Sequence, residues 1–262
     1  MTQMTIVSVF VFIVGAVVGS FLNVCIYRIP RDESIVFPAS HCPACGAGIR
    51  PFDNIPLLSY LVLRGKCRAC GNRISWQYPA VELISALLTL LLFLKLHFSP
   101  TFFVLFLFCM ALVVITFIDL EHQIIPDRIS LSGIVLGFAS SFILPWLSWK
   151  SSLIGIIAGG GSLLLVAYGY QLLTKKEGMG GGDIKLLAMM GAFLGWRAIP
   201  FIIFTSSLFG SIVGVSLMLA RKKDSQLPIP FGPFLAFGAV LYIFYGGRLI
   251  QWYFSLGGSI GG

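Results

Sequence analysis

Gly178-Met179-Gly180-Gly181-Gly182-Asp183-Ile184-Lys185 sets a carboxylate behind a run of glycines and at the head of a long apolar segment. That pattern reads as the mouth of a membrane helix. Glycines permit close approach of another backbone, and an ionisable residue at such a place is costly and points to function. A plain N-cap, with Asp183 accepting from the first helical N–H groups, explains the same residue. A second carboxylate, in Phe117-Ile118-Asp119-Leu120, stands at the end of another apolar run and favours the functional reading.

Composition fits a membrane chain. Of 262 residues 57% are hydrophobic and 11% charged, with mean hydropathy +0.94, well outside the range of soluble domains. Apolar segments run from Met4 to about Ile26 and over 80–97, 101–118, 129–147, 152–173, 184–196, 199–220 and 231–253. A span needs about 20 apolar residues, so the expected fold is an all-α polytopic membrane protein of about eight transmembrane helices. The first segment lacks a basic n-region and a small-residue cleavage site, and reads as a retained helix. The net charge of +8 suits cytoplasmic loops rather than nucleic acid. With the first long loop inside, fourteen basic residues are cytoplasmic, among them Lys176, Lys222 and Lys223. Only Lys95, Lys150, Arg197 and Arg248 lie outside. Asp119 and Asp183 then share the cytoplasmic face.

Residues 28–78 form the one sizeable polar region, between a first helix (1–27) and a membrane core (79–262). Cys42-Pro43-Ala44-Cys45 and Cys67-Arg68-Ala69-Cys70 are two C-x-x-C knuckles at a spacing suited to tetrahedral zinc, as in a zinc ribbon. Two disulfides are the alternative in an oxidising compartment. A basic, cytoplasmic loop favours the metal, and four thiolates leave no open position, so its role is structural. His41 adjoins the first knuckle as a neighbour. Asn23 reads as an interhelical hydrogen-bonding group. Arg28 and Asn23 are suited to linking loop and helix, and Cys25 and Cys109 to packing.

Two helix-end aspartates on one side of a membrane can form an aspartic protease dyad that shares a proton. One takes a proton from water and the other polarises the scissile carbonyl. Gly180 and Gly182 would line the opening through which a peptide reaches them. A proton-coupled transporter also uses membrane carboxylates, but gives the cysteine loop no task. A non-catalytic zinc scaffold leaves the aspartates unexplained.

The motifs extend along nearly the whole chain: Gly19–Pro30, Ser40-His41-Cys42-Pro43, Asp53-Asn54-Ile55-Pro56, Ser59-Tyr60-Leu61, Gly65-Lys66-Cys67, Tyr78-Pro79-Ala80-Val81-Glu82-Leu83, Asp119 with Ile125-Pro126-Asp127, and Gly178–Lys185. In these the chain resembles the bacterial type IV prepilin peptidases, GxGD intramembrane aspartic proteases that are also N-methyltransferases. The resemblance implies removal of a short basic leader from prepilins and pseudopilins, cut after glycine on the cytoplasmic side of the inner membrane. It also implies methylation of the new N-terminal residue, commonly phenylalanine, with S-adenosylmethionine. Asp119 and Asp183 match the catalytic pair. Relatives without the cysteine loop cleave but do not methylate, so the loop implies the bifunctional form.

Within the loop, Asp53, Asn54 and Glu82 are candidates for amine or cofactor contacts, and Gly65 for close approach of the cofactor. Asp53 and Asn54 equally suit a turn, Glu82 a helix cap, and Gly65 the shape of the knuckle. The segment from Asp119 to Arg128 is acidic, and Glu121 and Asp127 are candidates to pair with the basic leader. Pro228-Ile229-Pro230-Phe231-Gly232-Pro233 is expected to interrupt the last helix near the cytoplasmic face and to line the substrate's approach.

Overall fold

The structure, a computed structural model, describes residues 3–175, 180–221 and 229–258. Gly178, Met179, Pro228, Lys176, Lys222 and Lys223 of the sequence reading lie outside these residues. The described chain is helical: α1 (Gln3–Arg28), α2 (Leu58–Val62), α3 (Gln77–Leu96), α4 (Pro100–His122), α5 (Asp127–Ser140), α6 (Trp149–Thr174), α7 (Gly181–Leu194), α8 (Ala198–Arg221), α9 (Gly232–Leu241) and α10 (Gly247–Gly258). A π-helical turn, Tyr242–Gly246, joins the last two.

Each expected span has a helix in its place, and among the described residues six helices are long and apolar enough to cross a bilayer. The remaining two, α5 and α7, have 14 residues each, about 21 Å at 1.5 Å per residue. The expected span 129–147 is cut short because α5 stops at Ser140. There Ser140 and Ser141 turn their hydroxyls back onto the Gly137 and Phe138 carbonyls, and Pro145 follows within a turn's length. The proline-rich run does not interrupt the last helix either. It precedes α9, whose first turn contains Pro233, where a missing N–H costs nothing.

Close contacts divide the chain into two compact units, residues 1–118 and 119–262. In the first, α1 packs along α3 through Gly15 and Gly19, one helical turn apart. A Cβ at Gly15 would stand 2.8 Å from the Ala86 Cα, and one at Gly19 2.7 Å from the Glu82 Cα. Small residues four apart let membrane helices touch backbone to backbone, where packing rather than hydrophobicity holds them. The Asn23 amide adds a bond to the Tyr78 carbonyl, 3.1 Å away, and is thus the interhelical group expected. Arg28, buried at the end of α1, donates to the Ser34 and Pro38 carbonyls at 2.8 and 2.6 Å and ties the loop to the helix. Cys25 and Cys109 are buried packing residues.

In the second unit α7 is the central element, buried from Leu186 to Leu194. Gly133 and Gly137 of α5 face its Met189 and Ala192, and Gly155 and Gly159 of α6 face Gly191 and Leu187. At Gly191 a Cβ would come within 2.0 Å of the Gly155 carbonyl oxygen, so only glycine fits. Ser152 on α6 also donates to the Ala192 carbonyl at 2.7 Å. A short helix with no lipid-facing side needs no membrane-spanning length, which explains how α7 persists with 14 residues.

Candidate active site and cysteine cluster

Asp119 lies inside α4, one turn before its end at His122, rather than at the helix terminus. Its side chain is buried, and Oδ2 accepts the Gly232 N–H at 3.0 Å. Gly232 opens α9, so the carboxylate faces the positive end of a helix dipole. A Cβ at Gly232 would stand 2.6 Å from that same oxygen. Absence of a side chain is what lets Asp119 reach the backbone there.

Asp183 is half-buried on the first turn of α7 and is not its N-cap. The N-cap is Gly180, in extended conformation, and it supplies no side-chain bond. The three glycines before Asp183 have different surroundings. Among the described residues nothing stands within 4 Å of a Cβ on Gly181, and a Cβ on Gly180 would meet the Asp183 Oδ2 at 3.9 Å and the Gly182 N at 4.0 Å. Gly182 is crowded: a Cβ would stand 2.9 Å from the Ile125 Cβ. Ile125 also reaches the other aspartate's support, with its Cδ1 3.4 Å from where a Gly232 Cβ would lie. The surroundings of the two carboxyls are joined through Ile125, which lies against Gly182 beside Asp183 and against Gly232, the N–H donor to Asp119.

Of the acidic residues in the α4–α5 segment, Glu121 is exposed. Asp127, by contrast, holds Lys185 of α7 with both oxygens, at 2.7 and 2.8 Å. A leader cation would have to exchange for that lysine. Sequence reasoning placed Gly232 only in a run lining the substrate's approach, and quoted Ile125 and Lys185 within motifs without giving them a contact. The Gly232-Pro233 start of α9 was the one available signal.

In the first unit the cysteine loop forms two like-built turns. Gly46 N–H bonds to the Cys42 carbonyl at 2.8 Å and Gly71 N–H to that of Cys67 at 2.9 Å. Both glycines have φ near +70° (70° and 71°), which a side chain would strain. The four sulfurs of Cys42, Cys45, Cys67 and Cys70 lie within 4.8 Å of one another, and none is in a disulfide. Cys42 and Cys70 Sγ are 4.0 Å apart. At a Zn–S length of about 2.3 Å, tetrahedral sulfurs stand about 3.8 Å apart, so the set fits a zinc ion. Backbone N–H groups of Cys70 and Ala69, in that order, lower the pKa of the Cys67 thiol, while the crowding of the other sulfurs raises that of Cys70. His41 bonds to the Ala39 carbonyl and is outside the cluster.

The loop's cofactor candidates are engaged in its own architecture. Asp53 lies in the Pro51–Asn54 turn and grips the Arg68 guanidinium with both oxygens, at 2.8 Å to Nε and 2.6 Å to Nη2. Its carboxyl is thereby held below the usual carboxylate range. Gly65, at φ +66°, lies under the Tyr60 ring, whose hydroxyl would be 3.1 Å from a Cβ. Glu82 is buried on the second turn of α3 and accepts the Leu57 N–H at 2.8 Å. It thus braces the N-cap residue of α2, the helix that precedes its own. Asn54 is exposed at the end of its turn. Asp53, Gly65 and Glu82 thus each have a neighbour within residues 28–82: Arg68, Tyr60 and Leu57.

Comparison with known proteins accounts for both units. The Bacterial Peptidase A24 N-terminal domain matches residues 13–96, and the Type IV leader peptidase family matches residues 106–215. The prepilin leader peptidase/N-methyltransferase of Aeromonas salmonicida is 37% identical over 94% of this chain and 93% of its own length. That of Pseudomonas aeruginosa is 38% identical over the same shares, 94% and 93%. A relative from Myxococcus xanthus is 40% identical over 82% of this chain and 64% of its own. No solved structure matches. With six helices fit to cross a bilayer, the chain is a multi-pass membrane protein. It belongs to the type IV leader peptidase family, alongside the prepilin leader peptidase/N-methyltransferases.

Proposed function

We propose that this protein removes the basic leader of type IV prepilins and pseudopilins, cutting after glycine at the cytoplasmic face of the inner membrane. The new N-terminal residue is then methylated from S-adenosylmethionine. Asp119 and Asp183 are the catalytic pair. The observation that carries this reading is the convergence of distant segments on Ile125: Asp183 follows Gly182 on the first turn of α7, and Asp119 accepts from Gly232 on the first turn of α9.

Their surroundings divide the roles. Asp119, bonded to the Gly232 N–H at the positive end of α9, is the better place for negative charge. It acts as the ionised base and takes a proton from water, whose oxygen attacks the glycyl carbonyl. Asp183, facing that charge, keeps the shared proton and gives it to the carbonyl oxygen. The tetrahedral diol collapses as Asp119 returns its proton to the leaving amine and a diol hydroxyl re-protonates Asp183. The C–N bond breaks and the pair is restored. The light contacts that Gly180 and Gly181 make with the described residues support passage of the peptide over α7.

The four cysteines hold a structural zinc ion that fixes residues 28–78, the segment serving methyl transfer. S-adenosylmethionine supplies an activated methyl group for the neutral amine. Asn54, exposed, and Glu82, with acceptor capacity beyond its bond to Leu57, are the loop groups placed to contact amine or cofactor. Glu121 is the acidic residue best available to the leader, with Asp127 engaged by Lys185. The excess of basic residues in residues 28–78 supports their cytoplasmic placement.

Asp119→Asn and Asp183→Asn test the proposal. Each should abolish cleavage of a purified prepilin while the protein still inserts and binds zinc. Leader removal at near-normal rate by either variant would remove that aspartate from the mechanism.

A further inference from the structure

Ile125 stands where three elements meet: the α4–α5 connection that carries it, the start of α7 at Gly182 and the start of α9 at Gly232. A Cβ on Gly182 would lie 2.9 Å from its Cβ and 3.4 Å from both its Cγ1 and Cδ1. On the other side, a Cβ on Gly232 would lie 3.4 Å from its Cδ1. Gly182 is the neighbour of Asp183 in the chain, and Gly232 is the N–H donor to Asp119. One aliphatic side chain therefore fills the space that two glycines leave empty, one beside Asp183 in the chain and the other bonded to Asp119.

We propose that Ile125 is the spacer of the aspartate dyad: a positioning residue that holds the starts of α7 and α9 at the separation where Asp119 and Asp183 share a proton. The inference rests on the dyad reading above. It also gives a physical reason for the last glycine before Asp183. That position is small to receive Ile125, whereas Gly180 and Gly181 meet no such side chain among the described residues. The connection is seated from its other end as well. Ile129 and Ser130 N–H groups bond to the Pro126 carbonyl at 3.0 and 3.1 Å, and Asp127 grips Lys185 on α7. Ile125 is thus held against the two glycines from outside rather than free to withdraw.

A spacer acts on turnover, because the carboxyls touch the reacting atoms whereas Ile125 does not. Proximity effects of this kind are lost steeply with displacements of about 1 Å. Ile125→Ala should lower kcat for leader cleavage tenfold or more and leave KM within threefold. Gly182→Ala should do the same by pushing against the isoleucine. The deciding measurement is the double variant. With Ile125 cut back to alanine, the atoms that pin it against Gly232 are gone and the connection can retreat from the added methyl. Gly182→Ala should then cost no more than a further threefold in the Ile125→Ala background. Losses that multiply in the double variant, or an Ile125→Ala enzyme with wild-type kcat, would overturn the proposal. Methylation of an already cleaved pilin peptide reports folding in every variant. If an alanine variant fails to insert, the same cycle with Ile125→Val reads the coupling. Asp119→Asn and Asp183→Asn run beside it: activity in those would overturn the dyad, whereas their inactivity with an uncoupled cycle would overturn the spacer alone.

Discussion

Replacing Gly232 with alanine tests how Asp119 is held. The glycine φ is in the ordinary negative region, so alanine meets no backbone penalty and its effect comes from the methyl alone. That methyl would stand 2.6 Å from Asp119 Oδ2 and 3.3 Å from its Cγ, roughly an ångström short of ordinary contact at the oxygen. One of the two must move. Gly232 belongs to the first turn of α9, whose backbone is fixed by the Phe231 carbonyl bonds to Phe234 and Leu235, so the carboxylate yields. Leaving the Gly232 N–H sacrifices a hydrogen bond to a charged group, about 1.5–3 kcal/mol. Expressed in the transition state, that is a fall in kcat of roughly 10- to 150-fold. The assay is cleavage of a purified prepilin in nanodiscs at saturating substrate, with zinc content and methylation of a pre-cleaved peptide as measures of integrity. A Gly232→Ala enzyme that turns over within threefold of wild type, with those measures intact, would refute the role given to this backbone donor.

Serine at Cys42, Cys45, Cys67 and Cys70 should release one zinc per chain and reduce methylation more than cleavage, as read by metal analysis and by mass of the product peptide. Normal methylation without metal would count against the loop's assignment. Glu82→Ala leaves the Leu57 N–H unpaired and should lower methylation at least tenfold with cleavage within threefold. Equal losses in both activities would mean that Glu82 supports the whole fold. Glu121→Gln should raise KM by up to about fivefold, the worth of one exposed ion pair, for a basic leader but not for a charge-neutralised one, and less so at high salt. Lys185→Met frees Asp127 and should lower KM for basic leaders. If KM is unchanged, Asp127 serves only to seat the connection on α7.

The features legible in the sequence are those with a local signature. Apolar runs marked the helices because the bilayer sets their length, and paired C-x-x-C turns marked the cysteine cluster because each folds on itself around its own glycine. Asp119 and Asp183 stood out as carboxylates at the ends of apolar runs. The remainder of the site depends on contacts between distant segments. The partner of Asp119 is a backbone N–H, a group every residue but proline carries. Lys185 reads as a cytoplasmic charge until α5 brings Asp127 to it. The end of α5 was overshot because serine hydroxyls bonded back to their own helix carry no hydropathy signal. The paired glycines on α1, α5 and α6 were visible as spacings, yet only the facing helix gives them meaning.

The short length of α7 has a consequence for the chemistry. Its 14 residues extend about 21 Å, against a hydrocarbon layer of about 30 Å. Hydrolysis consumes one water per cut, and oil is a poor reservoir for it. A helix some 9 Å shorter than the layer leaves that depth open to water at its ends, and at the Asp183 end the opening would form a hydrated well over the peptide bond. The depth of such a well, rather than the affinity of the carboxyls for water, would then govern the access of the second reactant. Thicker bilayers should slow the enzyme even where its fold is unchanged.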